Sequence, residues 1–242
     1  MASVETSSAE IVERSIRLAV PGKPVELETY SGSRPLLRVG GSRMPIKDQV
    51  KNYARKLMEE RPEAAAVREL VFLRKPRLLR FADDGIVPNH RLWPLVVYRR
   101  AVRFPREFSP PTIIDSLFEA NGWTRSWRDT IYDFVHYHSQ VHEVLGVAVG
   151  SAEVEFGGVR GRRLKLSRGD IAILPAGTGH RLIKASKDFM VVGAYPRTGT
   201  YDECTDTRDR HDASKRIAKV RRPDSDPVYG KSGGIVRLWT RR

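Results

Sequence analysis

The stretch HYHSQVHEVLG, residues 136–146, places three histidines and a glutamate within eleven positions of a chain that has only six histidines. His136 and His138 are two residues apart, so on a β-strand both side chains leave the backbone on one face while Tyr137 leaves on the other. Two imidazoles on one inward face of a small barrel can bind a single metal ion. Glu143 follows at a distance that allows the chain to bend and return a carboxylate to the same place.

A second stretch, GDIAILPAGTGH at residues 169–180, supplies a further ligand. Its last residue, His180, follows a turn with Pro175 and Gly177 that brings one strand beside another. We therefore predict one divalent metal ion, Fe, Mn, Ni, Zn or Cu, since ligand type alone does not choose among these metals. The predicted ligands are His136, His138, Glu143 and His180. We expect the side chain of His142 to point to the opposite face and to be structural or solvent-facing rather than a fifth ligand.

Together the two stretches resemble the two sequence motifs of the cupins, G-x5-H-x-H-x4-E-x6-G and G-x5-P-x-G-x2-H-x3-N. The matching residues are His136, His138, Glu143, Gly150, Gly169, Pro175, Gly177 and His180. Thr130 stands where the first motif has glycine, and Lys184 where the second has asparagine. The resemblance implies an all-β fold, the cupin double-stranded β-helix or jelly-roll barrel, with a few peripheral helices. It also implies that the four predicted ligands bind one metal ion, because neither departure falls on a ligand position.

Longer stretches, among them FADDGIVPNHRLWPLVVYRRAV at 81–102 and DPVYGKSGG at 226–234, are similar to the YjlB-like cupins. This similarity covers roughly residues 80–240. We predict an N-terminal arm over 1–67 and a cupin domain over 68–242. Apolar residues at helical spacing predict an amphipathic helix from Pro45 to Glu60 within the arm. Turn residues and apolar patterns predict helices over 110–123 and 208–219, and strands over 94–104, 131–138, 143–149, 152–156, 163–166, 170–174, 180–184 and 189–195.

The net charge of +14 raises the question of nucleic-acid binding. The basic residues are scattered in pairs, such as Arg162-Arg163 and Arg221-Arg222, and form no recognised nucleic-acid motif, so we expect no nucleic-acid partner. No apolar run reaches transmembrane length, and a single cysteine excludes an intrachain disulfide. We therefore expect a cytoplasmic protein without a membrane partner. The stretch VYGKSGG at 228–234 lacks the glycine that a phosphate-binding loop needs five residues before Gly230.

These features lead us to expect a metal-dependent enzyme, of dioxygenase, isomerase or lyase type, acting on a small anionic metabolite. Arginine and lysine can grip a substrate carboxylate, and the candidates are Arg128, Arg181 and Lys184, for which an exposed surface charge is an equal alternative. The alternative function is a non-catalytic, metal-containing cupin that binds a small molecule. The resemblance also implies a homodimer, since cupins often pair through strand edges.

Overall fold

The structure is a computed structural model, and it describes residues 60–205 and 210–240 together with the backbone of 25–28 and 36–39. The chain divides into two units, Met1–Glu59 and Glu60–Arg242. In the first, strand β1 (Val25–Glu28) pairs antiparallel with β2 (Leu36–Val39). The predicted helix over 45–60 lies outside the described residues, apart from Glu60. The predicted arm of 1–67 and cupin domain of 68–242 stay predictions.

The second unit consists mainly of short antiparallel strands. Its helices are α1 (Ala64–Glu69), α2 (Pro110–Ala120), α3 (Arg210–Lys219) and α4 (Gly234–Leu238). Its strands are β3 (Arg77–Leu79), β4 (Leu95–Tyr98), β5 (Trp123–Asp129), β6 (Glu143–Val149), β7 (Ser151–Phe156), β8 (Arg162–Ser167), β9 (Ile171–Leu174), β10 (His180–Ala185) and β11 (Met190–Pro196). The predicted strand over 131–138 is wrong: within it, only His136 and Tyr137 form isolated bridges to other parts of the chain.

Two sheets form the body of this unit. One has six strands in the order β3-β4-β9-β6-β11-β5, and the other has three in the order β10-β7-β8, with antiparallel pairing throughout. Apolar side chains from both sheets meet in one buried cluster, which includes Leu145 and Val154. This arrangement confirms the predicted all-β fold with a few peripheral helices, and two apposed antiparallel sheets are the architecture of a jelly roll.

The sequence alternation of β6 decides which residues face the space between the sheets. Leu145 and Val147 belong to the buried cluster between the sheets, whereas Val144 and Ala148 pack on the other side with helix α2. A strand alternates its side chains between faces, so Glu143 points inward with Leu145. Gly146 lies under α2, where an added Cβ would come within 2.8 Å of Ile114 Cγ2, so its missing side chain permits the close approach of the helix.

The C-terminal segment is organised around a buried carboxylate. Asp226 accepts hydrogen bonds from the backbone nitrogens of Val228, Tyr229 and Ile235 and from the hydroxyl of Tyr98, at 2.7–3.1 Å. These bonds fold the glycine-rich stretch at 228–234 into turns that lead into α4. The stretch therefore has a structural explanation, consistent with the absence of a phosphate-loop pattern.

No helix in the described part of the chain is both long enough and apolar enough to cross a membrane.

Candidate metal centre

Two distant parts of the sequence meet at a pair of histidines. His136 and His180 form an isolated antiparallel bridge, in which His180 N donates to His136 O at 2.9 Å and His136 N donates to His180 O at 3.2 Å. Their ring centres are 4.0 Å apart, and the ring of His138 lies 5.8 and 6.0 Å from them. One ring nitrogen from each histidine lies within 4.8 Å of those of the other two, and all three side chains are buried. This spacing suits three ligands around one ion.

The backbone fixes which nitrogen of each histidine can bind a metal. Nδ1 of His136 faces the carbonyl of Phe134 at 3.2 Å, Nδ1 of His180 faces that of Thr178 at 3.2 Å, and Nδ1 of His138 faces that of Asp202. A carbonyl oxygen only accepts, so in the neutral imidazole each Nδ1 carries the proton and each Nε2 keeps its lone pair. Such bonds are the usual outer partners of metal-binding histidines.

Glu143 completes the predicted set from the start of β6. Its Oε2 lies 3.2 Å from Nε2 of His180 and 3.4 Å from Nε2 of His138. Although Oε2 is buried, none of the described residues donates a hydrogen bond to it. A buried carboxylate oxygen without a donor is costly, and a divalent cation between it and the imidazoles would offset that cost. Three imidazoles and one carboxylate therefore fit a divalent transition metal.

The electrostatics of the four groups are strongly coupled. Burial, with the nearby His180 and His138, holds the pKa of His136 well below its ordinary value. Burial also lowers the pKa of His138, but the charge of Glu143 and hydrogen bonding outweigh it, so this pKa is raised. Burial acts to raise the pKa of Glu143, yet His138 and His180 hold it well below its ordinary range. The carboxylate is therefore ionised at neutral pH and available as a ligand.

Aromatic side chains, which we did not predict as part of the site, surround the histidines. Tyr132 and Phe134 stack on each other, with 4.8 Å between ring centres, and lie 4.9 and 5.6 Å from the ring of His136. Phe134 is 39 % exposed, whereas the three histidines are at most 5 % exposed. The ring of Phe134 is therefore partly accessible to solvent beside the buried His136. The spacing by two of Tyr132, Phe134, His136 and His138 is a signal in the sequence that would have found them.

Two further tyrosines lie against His138. Tyr201 and Tyr195 have ring centres 5.0 and 5.8 Å from it. Trp127 Nε1 donates a hydrogen bond to Tyr195 Oη at 3.0 Å. Burial, and then the charge of Glu143, raise the pKa of Tyr195 well above its ordinary value, and burial with Glu203 raises that of Tyr201. Both phenols therefore remain neutral at physiological pH. Both tyrosines are distant from His138 along the chain, so no local sequence pattern predicts that they lie beside it.

The three basic residues predicted to bind substrate are not brought to the histidines by any contact that the structure shows. Arg128 points towards α2, where it pairs with the buried Asp115 at 2.7 Å. Arg181 pairs with Glu155 at 2.8 Å across β10 and β7. Lys184 is exposed, opposite Glu153 in the neighbouring strand. The substrate-binding role of Arg128 stays a prediction, although its charge is already matched by Asp115 of α2.

A polar network lies on the Nδ1 side of His138. The carbonyl of Asp202 faces His138 Nδ1, while its carboxylate accepts hydrogen bonds from the backbone nitrogens of Ser139 and Gln140 at 2.9 and 3.0 Å. Arg216 of α3 donates to the Ser139 hydroxyl at 2.6 Å. Helix α3 is thus connected to His138 through one loop.

His142 and Tyr137 face away from the ligands, as predicted. His142 is buried and accepts a hydrogen bond from the backbone nitrogen of Ala176 at 2.9 Å, and its Nε2 faces the carbonyl of Arg221 at 3.1 Å. Tyr137 is buried in a small cluster with Ile217 of α3. The surroundings of both residues therefore indicate a structural role.

Comparison with known proteins finds a relative that this chain covers over nearly its whole length. No family model matches the chain. The uncharacterized protein YjlB of Bacillus subtilis (strain 168) is 36 % identical over 162 residues, which are 66 % of this chain and 94 % of that protein.

Solved structures give weaker similarities. The match to an oxalate decarboxylase from Bacillus subtilis covers 46 % of this chain and 22 % of the decarboxylase chain, at 15 % identity and a TM-score of 0.27. The match to the WlaRB TDP-quinovose 3,4-ketoisomerase from Campylobacter jejuni covers 38 % of this chain and 75 % of the ketoisomerase chain, at 17 % identity and a TM-score of 0.30. These similarities carry nothing about reaction or ligand. The relationship to the Bacillus subtilis protein YjlB covers nearly all of its length, and the chain therefore belongs to the YjlB family.

Proposed function

We propose that the protein is a metal-dependent enzyme acting on a small molecule, with one divalent ion held by His136, His138, His180 and Glu143. The observation that carries the proposal is the close grouping of three buried histidines beside a buried carboxylate oxygen of Glu143, which lies 3.2 and 3.4 Å from two of them and accepts no hydrogen bond from the described residues. When bound, a metal ion supplies Lewis-acid or redox chemistry, which covers isomerase, lyase and dioxygenase reactions. Four protein ligands leave coordination positions for a substrate or water if the ion prefers six.

The surroundings of the ligands suit catalysis by restricting water. The histidines are almost entirely buried, and the rings of Tyr132 and Phe134, which contact His136, would line the approach of a substrate. The neutral hydroxyl of Tyr195, near the carboxylate, can donate a hydrogen bond to it. Tyr132 and Phe134 would orient a small molecule and exclude bulk solvent, which strengthens electrostatic interactions in the site.

The substrate proposed from the structure is a small planar molecule that need not be an anion. The basic residues expected to bind a carboxylate are paired with acids or exposed elsewhere. In contrast, the ring contacts of His136 and His138 within the described residues include three tyrosines and a phenylalanine. Stacking between rings with centres 4.5–7 Å apart is worth about 0.5–1.5 kcal/mol per pair.

The metal content of untagged protein tests this proposal directly. We expect close to one equivalent of a transition metal in the wild type and its loss in the double variant His136→Ala, His138→Ala. His211→Ala, which removes an exposed histidine outside the site, is the matched control and retains the metal. Iron directs the next assay to dioxygen consumption, and zinc, manganese or nickel to isomerase and lyase reactions. Absence of metal after reconstitution contradicts the proposal, and full metal without turnover favours the non-catalytic binding protein.

A further inference from the structure

Tyr195 and Glu143 are neighbours across two strands. In the antiparallel pairing of β11 with β6, the last pair is Ala194 with Val144, and continuing this register places Tyr195 opposite Glu143. Ala194 and Val144 both pack in the outer cluster with α2, and alternation therefore directs Tyr195 and Glu143 to the opposite, inner face. Both side chains are buried. The phenol and the carboxylate lie side by side at the metal end of the barrel.

Hydrogen-bond chemistry fixes the direction in which the Tyr195 hydroxyl can act. The indole nitrogen of Trp127, 3.0 Å from Tyr195 Oη, can only donate. Oη must therefore accept from Trp127, and its own proton remains for a different acceptor. The ionised carboxylate of Glu143 can only accept. Trp127 therefore donates to Tyr195, and the proton of Tyr195 remains for the carboxylate of Glu143 to accept.

The backbone of β5 and β11 is shaped to place these two rings together. Gly193 lies opposite Trp127, and an added Cβ at Gly193 would come within 2.0 Å of the indole. Tyr195 lies opposite Thr124, so β5 holds one residue more than β11 between the two pairs, a bulge of the kind that redirects side chains near active sites. Within this bulge Arg125 has φ +53°, a conformation that is uncommon outside glycine.

Arg125 restrains the tyrosine ring from another side. Its guanidinium carbon lies 5.6 Å from the ring centre of Tyr195, and its Nη2 donates to the carbonyls of Pro196 and Gly199 at 3.0 and 3.3 Å. The rings of His138 and Tyr201 contact the same tyrosine at 5.8 and 5.4 Å. A ring restrained in this way can hold its hydroxyl in one place.

We infer that Tyr195 is a positioning residue of the metal centre: held by Trp127, its hydroxyl engages one oxygen of the Glu143 carboxylate and leaves Oε2 directed at the histidine nitrogens. The inference rests on the proposed function, because it assigns Tyr195 a role in building the same four-ligand site. Outer partners of this kind typically change metal affinity about 10- to 100-fold when they are removed.

Binding of Co(II) to the metal-free full-length protein tests the inference, with affinity measured by chelator competition and ligand geometry by the visible absorption spectrum. The test variant is Tyr195→Phe, which removes only the hydroxyl. Tyr98→Phe is the matched control, since Tyr98 is also a buried tyrosine that donates to a buried carboxylate, that of Asp226, at 2.7 Å. We expect about 10- to 100-fold weaker Co(II) binding and an altered spectrum for Tyr195→Phe, and wild-type binding and spectrum for Tyr98→Phe.

The possible outcomes separate the two proposals. Wild-type Co(II) affinity and spectrum in Tyr195→Phe overturn the positioning role and leave the metal centre intact. Failure of the wild type to bind Co(II) overturns the proposed function and this inference with it. If Tyr195→Phe does not fold, Trp127→Phe carries the test, because it removes the donor that fixes the hydroxyl: a weaker affinity with an altered spectrum supports the inference, and no change overturns it.

Discussion

Glu143 Oε2 and His180 Nε2 lie 3.2 Å apart in a buried environment, yet no hydrogen bond joins them. The proton that could make this bond is on the other nitrogen, Nδ1, which faces the carbonyl of Thr178. Two electron-rich atoms therefore face each other, and only a cation or an extra proton can relieve the contact. The following predictions start from that relationship.

Glu143→Gln should weaken divalent metal binding at least about 10-fold, because an amide of the same shape carries no charge to neutralise the ion. Glu155→Gln is the control, since Glu155 is also largely buried but pairs with Arg181. Chelator competition on both variants measures the effect. Equal affinities in the wild type and Glu143→Gln would show that the carboxylate is not a ligand.

Metal binding should weaken as the pH falls through the pKa of His138. This pKa is raised above its ordinary value, so the metal-free site holds a proton on Nε2 to a higher pH than an exposed histidine would. A metal ion must displace that proton, and affinity therefore rises with pH until the proton is lost. Calorimetry in buffers of different ionisation enthalpy counts the released protons. Release of no proton at a pH below the pKa contradicts this mechanism.

Stability in acid should depend on His90. Its Nδ1 accepts hydrogen bonds from the backbone nitrogens of Trp93 and Leu92 at 2.9 and 3.2 Å, and burial lowers its pKa to about 4. Since the unfolded chain takes up this proton near pH 6.5, the free energy of unfolding declines as the pH falls from about 6.5 towards 4.

The variant His90→Asn separates this contribution from the rest of the acid response. Asparagine can supply an oxygen acceptor in place of Nδ1 but does not titrate. The free energy of unfolding of the variant should therefore fall less steeply than that of the wild type between about pH 7 and 4.5. His211→Asn, at an exposed position, controls for the substitution itself. Urea unfolding at several pH values gives the slopes, and identical slopes for His90→Asn and the wild type would refute the assignment.

Asp226→Ala should lower the free energy of unfolding by about 3 kcal/mol or more, because it leaves three backbone donors and the Tyr98 hydroxyl without their buried acceptor. Lys231→Ala, at an exposed position of the same segment, should change stability little. Denaturant unfolding compares the two. Metal affinity should stay at the wild-type value in both, which distinguishes loss of stability from damage to the site.

The sequence predicted the parts of the site that lie close together along the chain. His136 and His138 share a face through their spacing, and the turn before His180 is visible in Pro175 and Gly177. The face of Arg128 could not be predicted, because it depends on the register of β5 and on Asp115 in α2. The contact between Trp127 and Tyr195 could not be predicted, because 68 residues separate them and an irregular register brings them together.

The three ligand histidines are oriented by carbonyl groups of the main chain at Phe134, Thr178 and Asp202. A carbonyl is present whatever side chain the residue carries, so substitution at these positions does not delete the acceptor. Relatives could therefore diverge at these three positions while the three histidines kept the same ring orientation. The proposed metal site could then gain a new specificity without first rebuilding its ligand set.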